Sequence, residues 1–192
     1  MISLAQALQE LLTTLDKVSV PYLIGGSVAS GSYGLPRQTN DIDVLADFHH
    51  IDTRRLFELL QQNFYVDAQS AAESIRDGRP FNVIHLKGAF KFDFFPAEPA
   101  GFSQAQLARK RYVVSALPGL EDIEFPIASA EDTVLAKLLW YRMGGEVSER
   151  QWHDILGVLK VQAARLDQAY LAEWASRLHV SDLLEKALRE GR

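Results

Sequence analysis

No cysteine occurs among the 192 residues. Its absence removes disulfides, thiolate metal sites and cysteine nucleophiles together, and agrees with a reducing compartment. Long apolar runs are missing too: no stretch approaches the roughly 20 residues that cross a bilayer. The N-terminal MISLAQALQELLTTLDKV is interrupted by Gln6, Gln9, Glu10 and Asp16, so it reads as an amphipathic helix and not as a signal peptide. The expectation is a cytoplasmic protein with no membrane partner. Positive charge is in short supply, 20 Lys and Arg against 25 Asp and Glu for a net charge of -5, so nothing global draws the chain to a polyanion. Arg109-Lys110-Arg111 remains as a local basic run. The histidines show no metal spacing: His49 and His50 are adjacent, while His85, His153 and His179 are scattered. HExxH, GxSxG and GxxxxGK[ST] are all absent, which disfavours a zinc hydrolase, a serine hydrolase and a P-loop ATPase.

What is present has the periodicity of a mixed α/β protein. Leu4, Ala7, Leu8, Leu11, Leu12 and Leu15 recur at helical spacing behind Ser3, a helix over 3–17. Strands are predicted over 20–24 and 41–46, with a compact helix between them (27–33) stopped by Gly34 and Pro36. A second amphipathic helix runs from Ile51 to Phe64, a short one ends near Asp77-Gly78, and residues 96–110 read as loop or short helix. Residues 81–86 and 89–95 form a predicted hairpin about Lys87-Gly88. In its second strand, period 2 puts Lys91, Asp93 and Phe95 on one face and Phe90, Phe92 and Phe94 on the other. Two further strands are expected at 112–115 and 123–127. From Ser129, a serine cap followed by Glu131 and Asp132, the pattern turns helical, with helices near 130–142, 148–163, 167–178 and 181–189. The expected architecture is an α/β (α+β) mixed-sheet core over 1–128 followed by a helical region over 129–192. Trp140, Trp152 and Trp174 are assigned to the core of that region, and Asp154 to an i−4 pair with Arg150.

Chemistry concentrates in YLIGGSVASGSYGLPRQTNDIDVLAD, residues 22–47. Asp41 and Asp43, two apart on a strand, leave the same face about 6.5–7 Å apart. Two carboxylates so placed repel unless a cation lies between them, and oxygen-only donors select a hard ion, Mg²⁺ or Mn²⁺. Asp93, an isolated acid among aromatics, is the natural third ligand, and three carboxylates suffice for two ions about 3.5–4 Å apart. Gly25-Gly26-Ser27, at a strand-to-helix junction, leaves backbone N–H groups and a helix N-terminus for phosphate, with the Ser27 hydroxyl as a further donor. Together they describe a nucleoside triphosphate site.

Gly26-Ser27, the spacer, Asp41-x-Asp43 and the later strand residue Asp93 resemble the nucleotidyltransferase fold of the DNA polymerase beta superfamily. The form GGS…R-x-T-x-D-I-D is similar to its small prokaryotic branches, AbiEii-type toxin nucleotidyltransferases and aminoglycoside nucleotidyltransferases among them. The likeness covers residues 20–95, and more loosely 130–156, where Glu131-Asp132, Lys137 and Asp154 resemble the AbiEii helical motifs. The resemblance implies transfer of a nucleoside monophosphate from an NTP to an acceptor, with release of pyrophosphate. Asp41 and Asp43 would bind both ions, and Asp93 the catalytic ion and the acceptor's proton. Gly25, Gly26 and Ser27 would hold the β,γ-phosphates, with Lys137 and Arg37 neutralising phosphate charge. Acceptors in view are tRNA, a protein or a small molecule such as an aminoglycoside. A homodimer, a cognate antitoxin and a catalytically silent regulatory protein remain alternatives.

Overall fold

The computed structural model describes residues 2–36, 39 and 41–191. The first helix, α1 (Leu4–Lys17), begins at a reciprocal capping box in which Ser3 and Gln6 each satisfy the other's backbone N–H. Its apolar stripe is fully buried at Leu8, Leu11 and Leu15. The short strand β1 (Tyr22–Ile24) runs straight into α2 (Gly26–Tyr33). Strand β2 (Asp41–Ala46) alternates as a one-sided strand must: Ile42, Val44 and Ala46 are fully buried, whereas Asp41, Asp43 and Leu45 lie on the other face. After α3 (Thr53–Leu60) come β3 (Phe64–Tyr65), α4 (Ala68–Arg76), and the antiparallel hairpin of β4 (Phe81–His85) and β5 (Lys91–Pro96). The chain continues through α5 (Phe102–Arg109), β6 (Arg111–Val114) and β7 (Glu124–Ile127). It finishes in α6 (Ala130–Met143), α7 (Glu149–Gln162), α8 (Gln168–Arg177) and α9 (Ser181–Glu190).

The strands form one mixed seven-stranded sheet in the order β3-β4-β5-β2-β1-β7-β6. Antiparallel pairing joins β1 to β2, while β2 runs parallel to β5 and β1 parallel to β7. One face packs Val44, Phe92 and Phe94 against α1 and α3, through residues such as Leu11 and Phe57. A second apolar cluster lies among the C-terminal helices around Leu138, Ile155, Leu171 and Leu184. The mixed α/β architecture with a helical C-terminal part is therefore the one the periodicity called for.

Two departures are instructive. The helix expected over 51–64 stops at Leu60, because Phe64 instead pairs with His85 and packs edge-on against His85 and Phe92, at centroid distances of 5.1 and 5.9 Å. Residues 102–109, left open between loop and helix, are helical. The joint between α2 and α7 is unusually close. A β-carbon placed on Gly34, which ends α2, would lie 2.8 Å from the Val158 nitrogen, and Gln162 Nε2 donates to the Tyr33 carbonyl at 2.8 Å. Two backbones meet there with no side chain between them.

Candidate active site

Parallel pairing of β2 with β5 sets Asp41 opposite Lys91, Asp43 opposite Asp93 and Leu45 opposite Phe95. Neighbouring strands are about 4.8 Å apart, so Asp93 arrives beside Asp43 although fifty positions separate them in sequence. Burial pushes the Asp43 carboxyl above the usual carboxylate range. The Asp93 and Asp41 charges add to that, against the opposing pull of Lys137 and Lys91. Lys91, to which the sequence assigned no role, places its Nζ 2.8 Å from Asp93 Oδ2 and 4.0 Å from Asp41 Oδ2. Its own pKa is raised, first by the hydrogen bond to Asp93. With that ammonium in contact with two of the carboxylates, no group of three acids among the described residues converges into a ready-made ligand set.

The glycine turn is built against the same carboxylate. Gly25 donates its N–H to the Asp43 carbonyl at 2.9 Å and stands as N-cap of α2 with no side-chain cap. Gly26 has φ +52°, and a β-carbon there would lie 1.6 Å from Asp43 Oδ2. Only glycine lets the turn close over Asp43. The Thr39 hydroxyl donates to the Asp41 carbonyl at 2.9 Å, so the hydrogen of the 3.0 Å Ser27–Thr39 contact comes from Ser27. This small chain ties the helix start to the beginning of β2. Arg37, the expected phosphate partner from the intervening loop, lies outside the described residues.

Helices α6 and α7 close the site from the other side. Buried Lys137 donates to Asp154 Oδ2 at 2.8 Å, so the Asp154 carboxylate bridges two helices instead of serving only its own. Glycine turn, Asp43, Lys137 and Asp154 line one cavity of about 590 Å³, whose remaining wall includes Phe95 and Trp140. Trp140 is not a core residue: it is 44% exposed and meets Phe95 edge-on at 5.6 Å between ring centroids. Trp152 and Trp174 do pack on the helical core. The helical stripe of α6 could not separate Trp140 from its buried neighbour Tyr141, because both sit at the margin of the apolar arc.

The basic run at 109–111 is largely consumed by packing. Arg109 lies 3.9 Å above the Tyr170 ring and contacts Glu131 at 3.4 Å and Asp132 at 3.8 Å, while Lys110 donates to the Tyr22 carbonyl at 3.3 Å. Asp132, fully buried, also accepts from Tyr170 at 2.7 Å and from Ser129 at 2.8 Å. Glu131 and Asp132 thus pin α6 to α5 and α8.

Among the described residues, then, Asp43 and Asp154 face the cavity together with Lys137 and Arg150, while Asp41 and Asp93 neighbour Asp43 on β2 and β5 with Lys91 in contact with both. The all-oxygen donors of Asp41, Asp43 and Asp93 fit a hard divalent cation, provided Lys91 withdraws.

No protein-family model matches the chain, and no curated protein does. Solved structures do. The antibiotic-resistance factor ANT(2'')-Ia in complex with adenylyl-2''-tobramycin superposes with a TM-score of 0.57 at 14% identity, covering 90% of this chain and 97% of that one. The same factor in solution gives a TM-score of 0.52 at 14% identity, over 95% of this chain and 92% of that one. The lincosamide antibiotic adenylyltransferase LnuA, bound to lincomycin, gives 0.50 at 17% identity, over 80% and 95%. At these identities the likeness is one of fold, and the fold is that of the nucleotidyltransferases.

Proposed function

We propose that the chain is a metal-dependent nucleotidyltransferase that moves a nucleoside monophosphate from an NTP to a hydroxyl of a small-molecule acceptor and releases pyrophosphate. One observation carries the reading: Asp43 and Asp93 stand in register on adjacent strands, under a glycine turn whose shape leaves room for the Asp43 carboxylate and no β-carbon.

Asp41, Asp43 and Asp93 would hold Mg²⁺ or Mn²⁺. When bound, the ions supply charge neutralisation to the phosphates and polarise the attacking oxygen. The chain's own groups do the rest. The N–H groups at the start of α2, which no side chain caps, hold the β,γ-phosphates, joined by the Ser27 hydroxyl once it turns its hydrogen from Thr39 to a phosphate oxygen. Lys137, supplied from the region 129–192 to carboxylates carried on 1–128, adds positive charge beside them. Asp93, on the flank of Asp43 away from the glycine turn, accepts the acceptor's proton as its oxygen attacks.

The acceptor follows from surface and shape. Arg109 and Lys110 are engaged in packing, so of the run that might have gripped a tRNA Arg111 alone is exposed, too little basic surface for a polyanion. The cavity, with Asp43 and Asp154 balanced by Lys137 and Arg150 and an aromatic wall of Phe95 and Trp140, suits a small polyhydroxylic molecule instead, and the folds it resembles include enzymes that adenylylate antibiotics. Glu131 and Asp132, matched above to toxin-type helical motifs, have an adequate explanation in packing, so support for the AbiEii-like branch is the weaker of the two.

The test is calorimetric titration of each NTP with Mg²⁺ or Mn²⁺ into wild type, Asp43→Asn and Asp93→Asn. Pyrophosphate release is then scored over a panel of aminoglycosides, lincosamides and total tRNA. Metal-dependent nucleotide affinity that survives unchanged in both variants would remove the site assignment.

A further inference from the structure

We infer that the Phe95–Trp140 corner of the cavity is the seat of the nucleobase, an inference that rests on the site reading above and adds a contact which neither the metal nor the phosphates require.

Four directions leave the carboxylate pair within the sheet. Across the strands toward β1 lies the glycine turn, the flank of the triphosphate; across the strands toward β4 lies Asn82, opposite Asp93 in the ladder. In-line displacement needs the attacking and leaving oxygens on opposite sides of the phosphorus, so those two flanks belong to pyrophosphate and acceptor. The remaining two run along the strands, one to the charged pair Asp41 and Lys91, which offers a base no stacking surface, and the other away from it. There Leu45 and Phe95 follow Asp43 and Asp93 by two residues on the same face, about 6.5–7 Å further on. A ribose spans a gap of that order.

Helix α6 repeats the same division. Lys137 and Trp140 are three residues apart, on one side of the helix and separated by about 4.5 Å along its axis. One turn of helix therefore presents a cation for phosphate and an indole for a ring. The indole is unusual in its exposure, 44%, while neighbouring Leu138 is fully buried. Its edge-on contact with Phe95 occupies one face of one ring at most, which leaves aromatic surface turned to the cavity that both rings line. Stacking on such a surface tolerates any base. Larger purines gain more from it than pyrimidines, so the site should grade nucleotides by ring size.

The experiment titrates ATP, UTP and inorganic tripolyphosphate, each with Mg²⁺, into wild type, Trp140→Ala and Trp140→Phe. Stacking of this kind should make Trp140→Ala bind ATP about tenfold more weakly, with a smaller loss for UTP and tripolyphosphate affinity unchanged. That last result also shows the variant folded with its phosphate site intact. Trp140→Phe should recover most of the ATP affinity. If ATP binds wild type and Trp140→Ala equally, the inference is overturned and the site reading stands. Equal losses for ATP and tripolyphosphate would overturn it too, since the ring would then only shape the cavity. A Trp140→Ala variant with normal ATP affinity but a raised KM for acceptor would assign the corner to the acceptor instead. Absence of any metal-dependent binding of ATP or tripolyphosphate to wild type would defeat the site reading, and this inference with it.

Discussion

Replacing Gly26 with alanine isolates the glycine turn from everything else in the site. The residue sits at φ +52°, where a β-carbon strains its own backbone by about 1–2 kcal/mol. The new methyl would also lie 1.6 Å from Asp43 Oδ2, 2.6 Å from its Cγ and 3.0 Å from its Cβ. Ordinary contact begins at 3.4 Å, so the carboxylate must swing aside by roughly 2 Å, which rotation about its own side-chain bonds permits. The Asp43 Cβ is fixed to β2 and needs only a few tenths of an ångström from the strand. Moving the carboxylate also relieves its repulsion with Asp93, which offsets part of the backbone strain. The variant should therefore stay folded, with its stability in urea lowered by about 1–2 kcal/mol. Its metal-dependent ATP affinity should fall by more than tenfold, because the displaced carboxylate no longer faces Asp93. Gly25→Ala is the control for the clash: a β-carbon there meets nothing within 4 Å, so its stability in urea should match wild type. ATP and Mn²⁺ titrations in which Gly26→Ala matches wild type, or urea unfolding in which Gly25→Ala is destabilised as much as Gly26→Ala, would refute the claim that the turn is shaped around Asp43.

Further outcomes follow from the charges. Because the folded-state pKa of Asp43 is raised above its unfolded value of 3.8, the native state holds the proton more tightly than the unfolded chain. Stability contributed at low pH is therefore lost as pH rises from the unfolded to the folded value. Asp43→Asn should remove that part of the decline, so urea unfolding should find the variant more stable than wild type at pH 7. Lys91→Met takes away the ammonium that contacts Asp93 and Asp41, and should strengthen Mn²⁺ binding as read by electron paramagnetic resonance; weaker binding would show that Lys91 supports the ligands and does not compete for them. Tyr170→Phe deletes the 2.7 Å hydrogen bond to fully buried Asp132 and should lower unfolding free energy by about 1–3 kcal/mol. Nucleotide affinity should not change with it.

Local pattern carried much of this structure. Alternation in β2 separates Asp41 and Asp43 from Ile42 and Val44 within a six-residue window, and the same rule places Asp93 opposite Phe92 and Phe94. A strand, two glycines and a serine cannot be much besides a turn into a helix. What stayed hidden depended on register or on distance. Lys91 was placed on the right face, but its partners follow from the pairing of β2 with β5, which no period reveals. Asp154 looked like an i−4 partner of Arg150, yet the adjacent helix offers it Lys137 in a nearly dry contact. A two-residue strand such as β3 is too short for any periodicity, and exists because Phe64 has a pocket between His85 and Phe92.

The contact of α2 with α7 bears on how such a cleft can open. Where two backbones touch without intervening side chains, a hinge has nothing to compress and no rotamer to exchange; turning one helix on the other would mean sliding main chain over main chain at Gly34 and Val158. The helix that begins at the glycine turn is thereby clamped at its far end by the helix that carries Asp154. Under the function proposed above, ligands would enter and leave through small movements at the rim, where Trp140 and Arg150 are exposed, over a floor of fixed dimensions.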